Sequence, residues 1–121
     1  MKKTVLIVED EVLVGMMLAR NLEGCGFSVC EVVGTGEDAV AAAGRCRPGV
    51  VLMDVSLGGI MDGIEAADRI KKQLGIPVVF FTGYHQDKQL MTRAKEVQAL
   101  AVLDKLGPIE DIVAAVESAF H

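Results

Sequence analysis

Asp54 follows four apolar residues, Val50–Met53, and leads into Val55-Ser56-Leu57-Gly58-Gly59. A strand apolar on both faces belongs inside a parallel sheet covered by helices. A carboxylate at its carboxyl end stands where open α/β sheets hold their ligands. Glu9 and Asp10 follow a second such run, Thr4–Val8, while Thr82 follows Val78–Phe81 and Asp104-Lys105 ends Leu100–Leu103. If those four runs are parallel strands of one sheet, three carboxylates, a hydroxyl and an ammonium meet at one edge. Carboxylates that close repel one another unless a cation sits among them. Oxygen ligands with positions left for water suit Mg²⁺, or Mn²⁺ in its place, better than zinc. Thr82 and Lys105 then suit the remaining oxygens of a phosphoryl group. The chemistry this predicts is attack of the Asp54 carboxylate on phosphorus.

Taken singly, each residue has an ordinary role. An Asp at a strand end forms turns, and Glu9-Asp10 suits the start of a helix. Thr82 favours strands, and Lys105 is a common surface charge. The argument rests on their joint arrangement across four strands.

The elements that must position them alternate along the whole chain. A helix is expected from Glu11 to about Glu23, stopped by Gly24 and Gly26. A strand follows over Phe27–Val33, then an Ala-rich helix from Glu37 to about Arg45 closed by Pro48-Gly49. After Asp54, a glycine-containing loop reaches Gly63, and a helix runs from Ile64 to about Leu74. Gly75 and Pro77 bracket the turn into Val78–Phe81, and a polar helix runs from Gln86 to about Glu96. Leu100–Leu103 is a short last strand, and Gly107-Pro108 opens the final helix. Five strand-then-helix units predict an α/β fold with a five-stranded parallel sheet between two helical layers. No linker, repeat or low-complexity segment interrupts it, so residues 1–121 read as one module.

Composition narrows the function classes. With 121 residues the chain is long enough to bury a full core. A net charge of −5 argues against nucleic acid or anionic lipid as direct partners. Lys2 and Lys3 precede too short an apolar run for a signal peptide, and no run approaches the roughly 20 residues of a membrane span. Cys25, Cys30 and Cys46 have no CxxC spacing and read as small buried or half-buried residues in a reducing compartment. The cytoplasm is the expected location. The first helix holds more apolar residues (Val12, Leu13, Val14, Met16, Met17, Leu18 and Leu22) than one buried stripe needs. Leu18 and Leu22 are expected in the core, and Val14 and Met17 at a partner. His85 and His121 receive no role.

Over its entire length the chain resembles the receiver domain of two-component response regulators. The matching pieces are Val5-Leu6-Ile7-Val8-Glu9-Asp10-Glu11, Val51-Leu52-Met53-Asp54, Asp62-Gly63, Phe81-Thr82-Gly83 and Leu103-Asp104-Lys105. The resemblance implies a flavodoxin-like sheet of order 2-1-3-4-5; since the last helix runs to the C-terminus, a receiver domain with no output domain is expected. It implies Asp54 as phosphoacceptor, with Glu9 and Asp10 as the acidic pair for Mg²⁺ and Asp10 the more direct ligand. The backbone carbonyl of Ser56 would be another ligand, Thr82 the switch hydroxyl and Lys105 the phosphate-contacting lysine. The donor would be a sensor histidine kinase or a histidine phosphotransfer protein, and the readout a contact with a downstream protein target.

The departures from the family pattern are local. Leu57-Gly58 stands where a Met-Pro pair is usual, and the loop to Asp62-Gly63 is one residue longer. Leu106 replaces the usual proline after the lysine, and Val102 occupies the position of the usual switch aromatic. Phe80-Phe81-Thr82-Gly83-Tyr84 resembles a receiver subgroup with a Tyr in this loop, so Thr82, Gly83 and Tyr84 are the expected switch segment. Two other readings stay open. One is an interaction module on the same fold that works without phosphorylation. The other is a small Asp-nucleophile phosphatase, which needs a second acid two residues past the nucleophile, where Ser56 stands.

Overall fold

The computed structural model describes residues 3–57, 61–83 and 88–120. Gly58, Gly59, Tyr84, His85 and His121, all named above, lie outside the described residues. Ten elements alternate: β1 (Thr4–Val8), α1 (Val12–Gly24), β2 (Ser28–Val33), α2 (Gly36–Cys46), β3 (Val50–Asp54), α3 (Gly63–Leu74), β4 (Val78–Thr82), α4 (Lys88–Glu96), β5 (Ala101–Asp104) and α5 (Ile109–Ser118). The strands are all parallel, in the order β2-β1-β3-β4-β5. This is the expected α/β flavodoxin-like arrangement, with the chain reversing direction across the sheet beside β1 and β3.

Alternation along the strands divides the interior into two cores. Leu6, Val8, Val51, Met53, Val78 and Phe80 face α2, α3 and α4, while Val5, Ile7, Val50, Leu52, Val79 and Phe81 face α1 and α5. Every residue of β3 and β4 is buried, as strands covered on both faces require.

The helix ends follow local chemistry. Thr35 caps α2 by accepting from the Asp38 amide at 3.1 Å, and Asp62 caps α3 by accepting from the Glu65 amide at 2.8 Å. Gly75 ends α3 in the left-handed conformation at φ 69°, and Gly26 takes φ 94° after α1. Gly24 is the last residue of α1, so the expected pair of glycine stops reduces to one. At the end of α2 it is Arg47, at φ 48°, that turns left-handed, ahead of Pro48-Gly49.

The cysteines need one correction. Cys30 and Cys46 are half-buried, but Cys25 is exposed because it lies in the turn that ends α1. The register of β1 against β2 shifts between Val5/Val29 and Leu6/Glu31, leaving Cys30 as the extra residue of a bulge. The Cys46 thiol is pushed up to about 12 by burial and by Cys30 and Glu31, so it stays protonated at neutral pH.

On α1, Leu18 and Leu22 are buried and Gly15 packs against Val32. Val12, Leu13, Met16 and Met17 are 71%, 75%, 58% and 63% exposed, so the surplus apolar residues lie on the surface. Val14 is half-buried against the core on the α1–α5 side. Among the described residues no helix is long and apolar enough to cross a membrane.

Candidate functional site

Sheet register assembles the site. Val8 pairs with Met53, so the next residues, Glu9 and Asp54, emerge side by side from β1 and β3. Asp54 pairs with Phe81, and Thr82 with Asp104, which brings Thr82 and Lys105 to the same edge. The backbone ties hold this edge: the Val55 amide donates to the Phe81 carbonyl at 3.2 Å and the Lys105 amide to the Thr82 carbonyl at 2.9 Å. Glu9, Asp54 and Lys105 share the alternation phase of Ile7, Leu52 and Leu103, whose side chains pack toward α1 and α5. Thr82 shares the phase of Phe80, on the opposite face, and is fully buried.

The ligand oxygens of Glu9, Asp10 and Asp54 lie within 4.8 Å of one another. Lys105 Nζ stands 2.7 Å from Glu9 Oε1 and 3.2 Å from Asp54 Oδ2, and 5.7 Å from the centre of the Phe81 ring. The Ser56 amide donates to Asp54 Oδ1 at 2.9 Å, which fixes the carboxylate from its other side. Asp10, Glu11, Ser56, Gly83, Val14 and Met17 line the cleft that opens over Asp54, about 670 Å³ in volume. It has room for an ion, its waters and a phosphoryl group.

Charge in the cleft is unbalanced. Burial pushes the Glu9 carboxyl up to about 8, and neighbouring Asp54 adds to that while Lys105 pulls the other way. Burial also works against the Lys105 charge, but Glu9 and Asp54 outweigh it and hold the ammonium above the ordinary lysine value. Lys105 therefore stays charged, and its single charge is shared between Glu9 and Asp54. Despite the ion pair, neither Glu9 oxygen has a hydrogen bond of good geometry, and both are buried. Three carboxylates that share a single ammonium are a donor set that fits a hard divalent cation.

Each predicted site residue within the described segments reaches this edge: Asp54, Glu9, Asp10, Ser56, Lys105, Thr82 and Gly83. Tyr84 lies outside the described residues. Val102 is half-buried in the core beneath α4, where no aromatic side chain stands in for it on β5. Two groups escaped the sequence reading. Glu11 faces Lys105 at 3.4 Å, and its place directly after Glu9-Asp10 was the available signal. Glu37, on α2, accepts from the Met61 amide at 2.8 Å, a contact between residues 24 apart that no local pattern announces.

Comparison with known proteins agrees with this geometry. Residues 5–117 match the response regulator receiver domain family. The transcriptional regulatory protein PdtaR of Mycobacterium tuberculosis is 38% identical over 117 residues, covering 97% of this chain and 56% of that protein. The phyllosphere-induced regulator PhyR of Methylorubrum extorquens is 38% identical over 85 residues, 69% of this chain and 32% of that protein. The chain thus spans less than two thirds of the length of these relatives. Among solved structures, the signal receiver domain of a modulated diguanylate cyclase from Desulfovibrio desulfuricans G20 superposes with a TM-score of 0.92 at 36% identity, covering 100% of this chain and 95% of that one. A response regulator N-terminal domain from Carboxydothermus hydrogenoformans gives 0.85 at 34% identity, covering 97% and 93%. The chain belongs to the response regulator receiver domain family, the phosphoacceptor modules of two-component signalling.

Proposed function

We propose that Asp54 accepts a phosphoryl group from a phosphohistidine donor, in a cleft where Glu9, Asp10, Asp54 and the Ser56 carbonyl hold Mg²⁺ or Mn²⁺. The observation that carries this reading is the pairing of one ammonium, Lys105, with buried Glu9 and Asp54, while exposed Asp10 brings a third carboxylate within 4.8 Å of both. When bound, the cation neutralises charge on the carboxylates and on the phosphoryl oxygens. Asp54 attacks phosphorus with one carboxylate oxygen; the phosphorus–nitrogen bond to the donor imidazole breaks, and the electron pair leaves with the ring nitrogen. Lys105, 3.2 Å from Asp54 Oδ2, is placed to follow the new negative charge. The Ser56 amide keeps the other carboxylate oxygen oriented during attack. Thr82 and Gly83, with Tyr84 beyond them, form the segment that responds to the acyl phosphate by moving toward its oxygens.

The donor is a sensor histidine kinase or a histidine phosphotransfer protein. The exposed α1 face of Leu13 and Met17, with half-buried Val14 and with Leu106 (90% exposed) across the cleft, forms its docking rim. The readout is a protein contact, with no direct part for nucleic acid or membrane, and the setting is the cytoplasm. Residues 1–121 act as one receiver unit that undergoes limited self-phosphorylation and dephosphorylation.

Incubation with Mg²⁺ and a small acyl phosphate tests the reading. The protein gains the mass of one phosphoryl group, and Asp54→Asn does not. No mass gain from that donor or from a histidine kinase would overturn the phosphoacceptor assignment and leave the phosphorylation-independent interaction module. Continuous release of phosphate from an ordinary ester would instead point to the phosphatase.

A further inference from the structure

We propose that Glu37 is a positioning residue for the phosphoacceptor loop, acting from α2 through the Met61 amide on the geometry around Asp54 and Ser56. The inference rests on the reading of Asp54 given above and extends it to a residue outside the cleft.

The chain that leaves Asp54 carries Gly58 and Gly59 and no proline before Asp62, so its own sequence restrains it little. At its return it is gripped. The Met61 amide donates to Glu37 Oε1 at 2.8 Å, a charge-assisted bond from a different layer element. Directly before Glu37, Gly36 lies flush against the same residue: a Cβ at position 36 would fall 2.6 Å from the Met61 carbonyl oxygen and 3.1 Å from Met61 Cβ. The Met61 side chain is 8% exposed and packs in the core between the sheet and α2–α4. The Gly63 amide then donates to the Val55 carbonyl at 3.3 Å and returns the chain to the end of β3.

Both ends of the loop are therefore fixed by named bonds. Ser56 N–H on Asp54 Oδ1 holds the outgoing end, and Glu37 holds the returning end. The acid acts in place of a stiffening proline. Without it the Met61 amide loses its acceptor and can regain one only by moving. That movement passes through the Gly63–Val55 bond to Ser56, whose amide orients Asp54 and whose carbonyl is one of the proposed cation ligands.

The test compares Glu37→Ala, Glu37→Gln and Asp38→Ala in the whole chain, using amide hydrogen exchange, Mg²⁺ titration by calorimetry and phosphorylation by a small acyl phosphate. Glu37→Ala is expected to lower exchange protection about tenfold at both Met61 and Ser56. It is also expected to weaken Mg²⁺ binding about tenfold, as loss of a group that orients a ligand does. Glu37→Gln keeps a side-chain acceptor and restores most of both. Asp38→Ala removes an equal first-turn charge of α2 and leaves both unchanged. Unchanged Ser56 protection in Glu37→Ala would overturn the proposal, as would a Glu37→Gln protein as defective as Glu37→Ala. The Asp54 reading fails separately, if the unmutated protein accepts no phosphoryl group; the exchange at Ser56 still decides the role of Glu37.

Discussion

Gly63 packs directly on the backbone of Asp54: a Cβ at position 63 would overlap the Asp54 carbonyl oxygen, and the Val55 carbonyl lies 3.0 Å away. The glycine of the Asp62-Gly63 pair thus lets the start of α3 close over the end of β3. Gly63→Ala must push α3 off the strand that carries Asp54. The expected cost is about 1–3 kcal/mol of stability, read as a lower denaturation midpoint in urea, together with slower phosphorylation by a small acyl phosphate. An unchanged midpoint would show that the contact relaxes freely.

On the proposed reading, Lys105 and a divalent cation compete for the same carboxylates. With Lys105→Ala, the acids around Glu9 lose the ammonium that stands 2.7 Å away. Mg²⁺ binding should tighten, by roughly threefold or more, while phosphorylation yields an acyl phosphate that no longer changes the rest of the domain. Calorimetry and a comparison of amide spectra with and without the acyl phosphate measure the two effects. Weaker Mg²⁺ binding in the variant would show that Lys105 organises the acids rather than opposing the ion.

Much of this site follows from period-two alternation. Apolar runs that end in Glu9-Asp10, Asp54, Thr82 and Lys105 are strands whose length and direction decide where those groups emerge, so fold and cluster were both legible. The register that sets Glu9 beside Asp54 also decides that Thr82 is out of phase, which spacing within one strand does not reveal. The cap at Thr35 was hidden because the expected helix started two residues after it, at Glu37. The Arg47 stop was hidden because a left-handed arginine has no sequence signature beside Pro48-Gly49. Contacts such as Glu37 to Met61 join layers through the third dimension, and a single chain carries no pattern for them.

Asp62 gives a pH dependence with a definite sign. One of its oxygens accepts from the Glu65 amide and the other meets Arg93 at 2.9 Å. Burial raises its carboxyl, but the helix-end amide and Arg93 outweigh that and hold it below the ordinary aspartate value. A lowered folded-state pKa contributes stability that is present above the unfolded value, about 3.9, and is lost as pH falls through the folded value. The side chain is partly exposed, so screening keeps the ion-pair share small. Asp62→Ala should therefore cost about 1 kcal/mol near neutral pH, and the gap between variant and parent should close below about pH 4. Urea midpoints across that range measure it; a gap that widens on acidification would refute the assignment.

The docking rim proposed on the exposed side of α1 allows the chemistry and the recognition of a donor to be tested separately. Met17 is 63% exposed and lines the cleft wall with an apolar side chain that has no acid or base chemistry to offer. Met17→Asp adds a charge to an apolar rim without touching the core, so stability should move by less than about 0.5 kcal/mol. A small acyl phosphate needs no docking surface, and its reaction with Asp54 should keep nearly its full rate. A phosphorylated histidine phosphotransfer protein must seat a helical surface against the rim, and its transfer rate should fall about tenfold or more when desolvation of the new charge is added to the encounter. Equal losses from both donors would mean that Met17 acts on the Asp54 cleft itself. Equal retention by both would place the donor on another face of the domain.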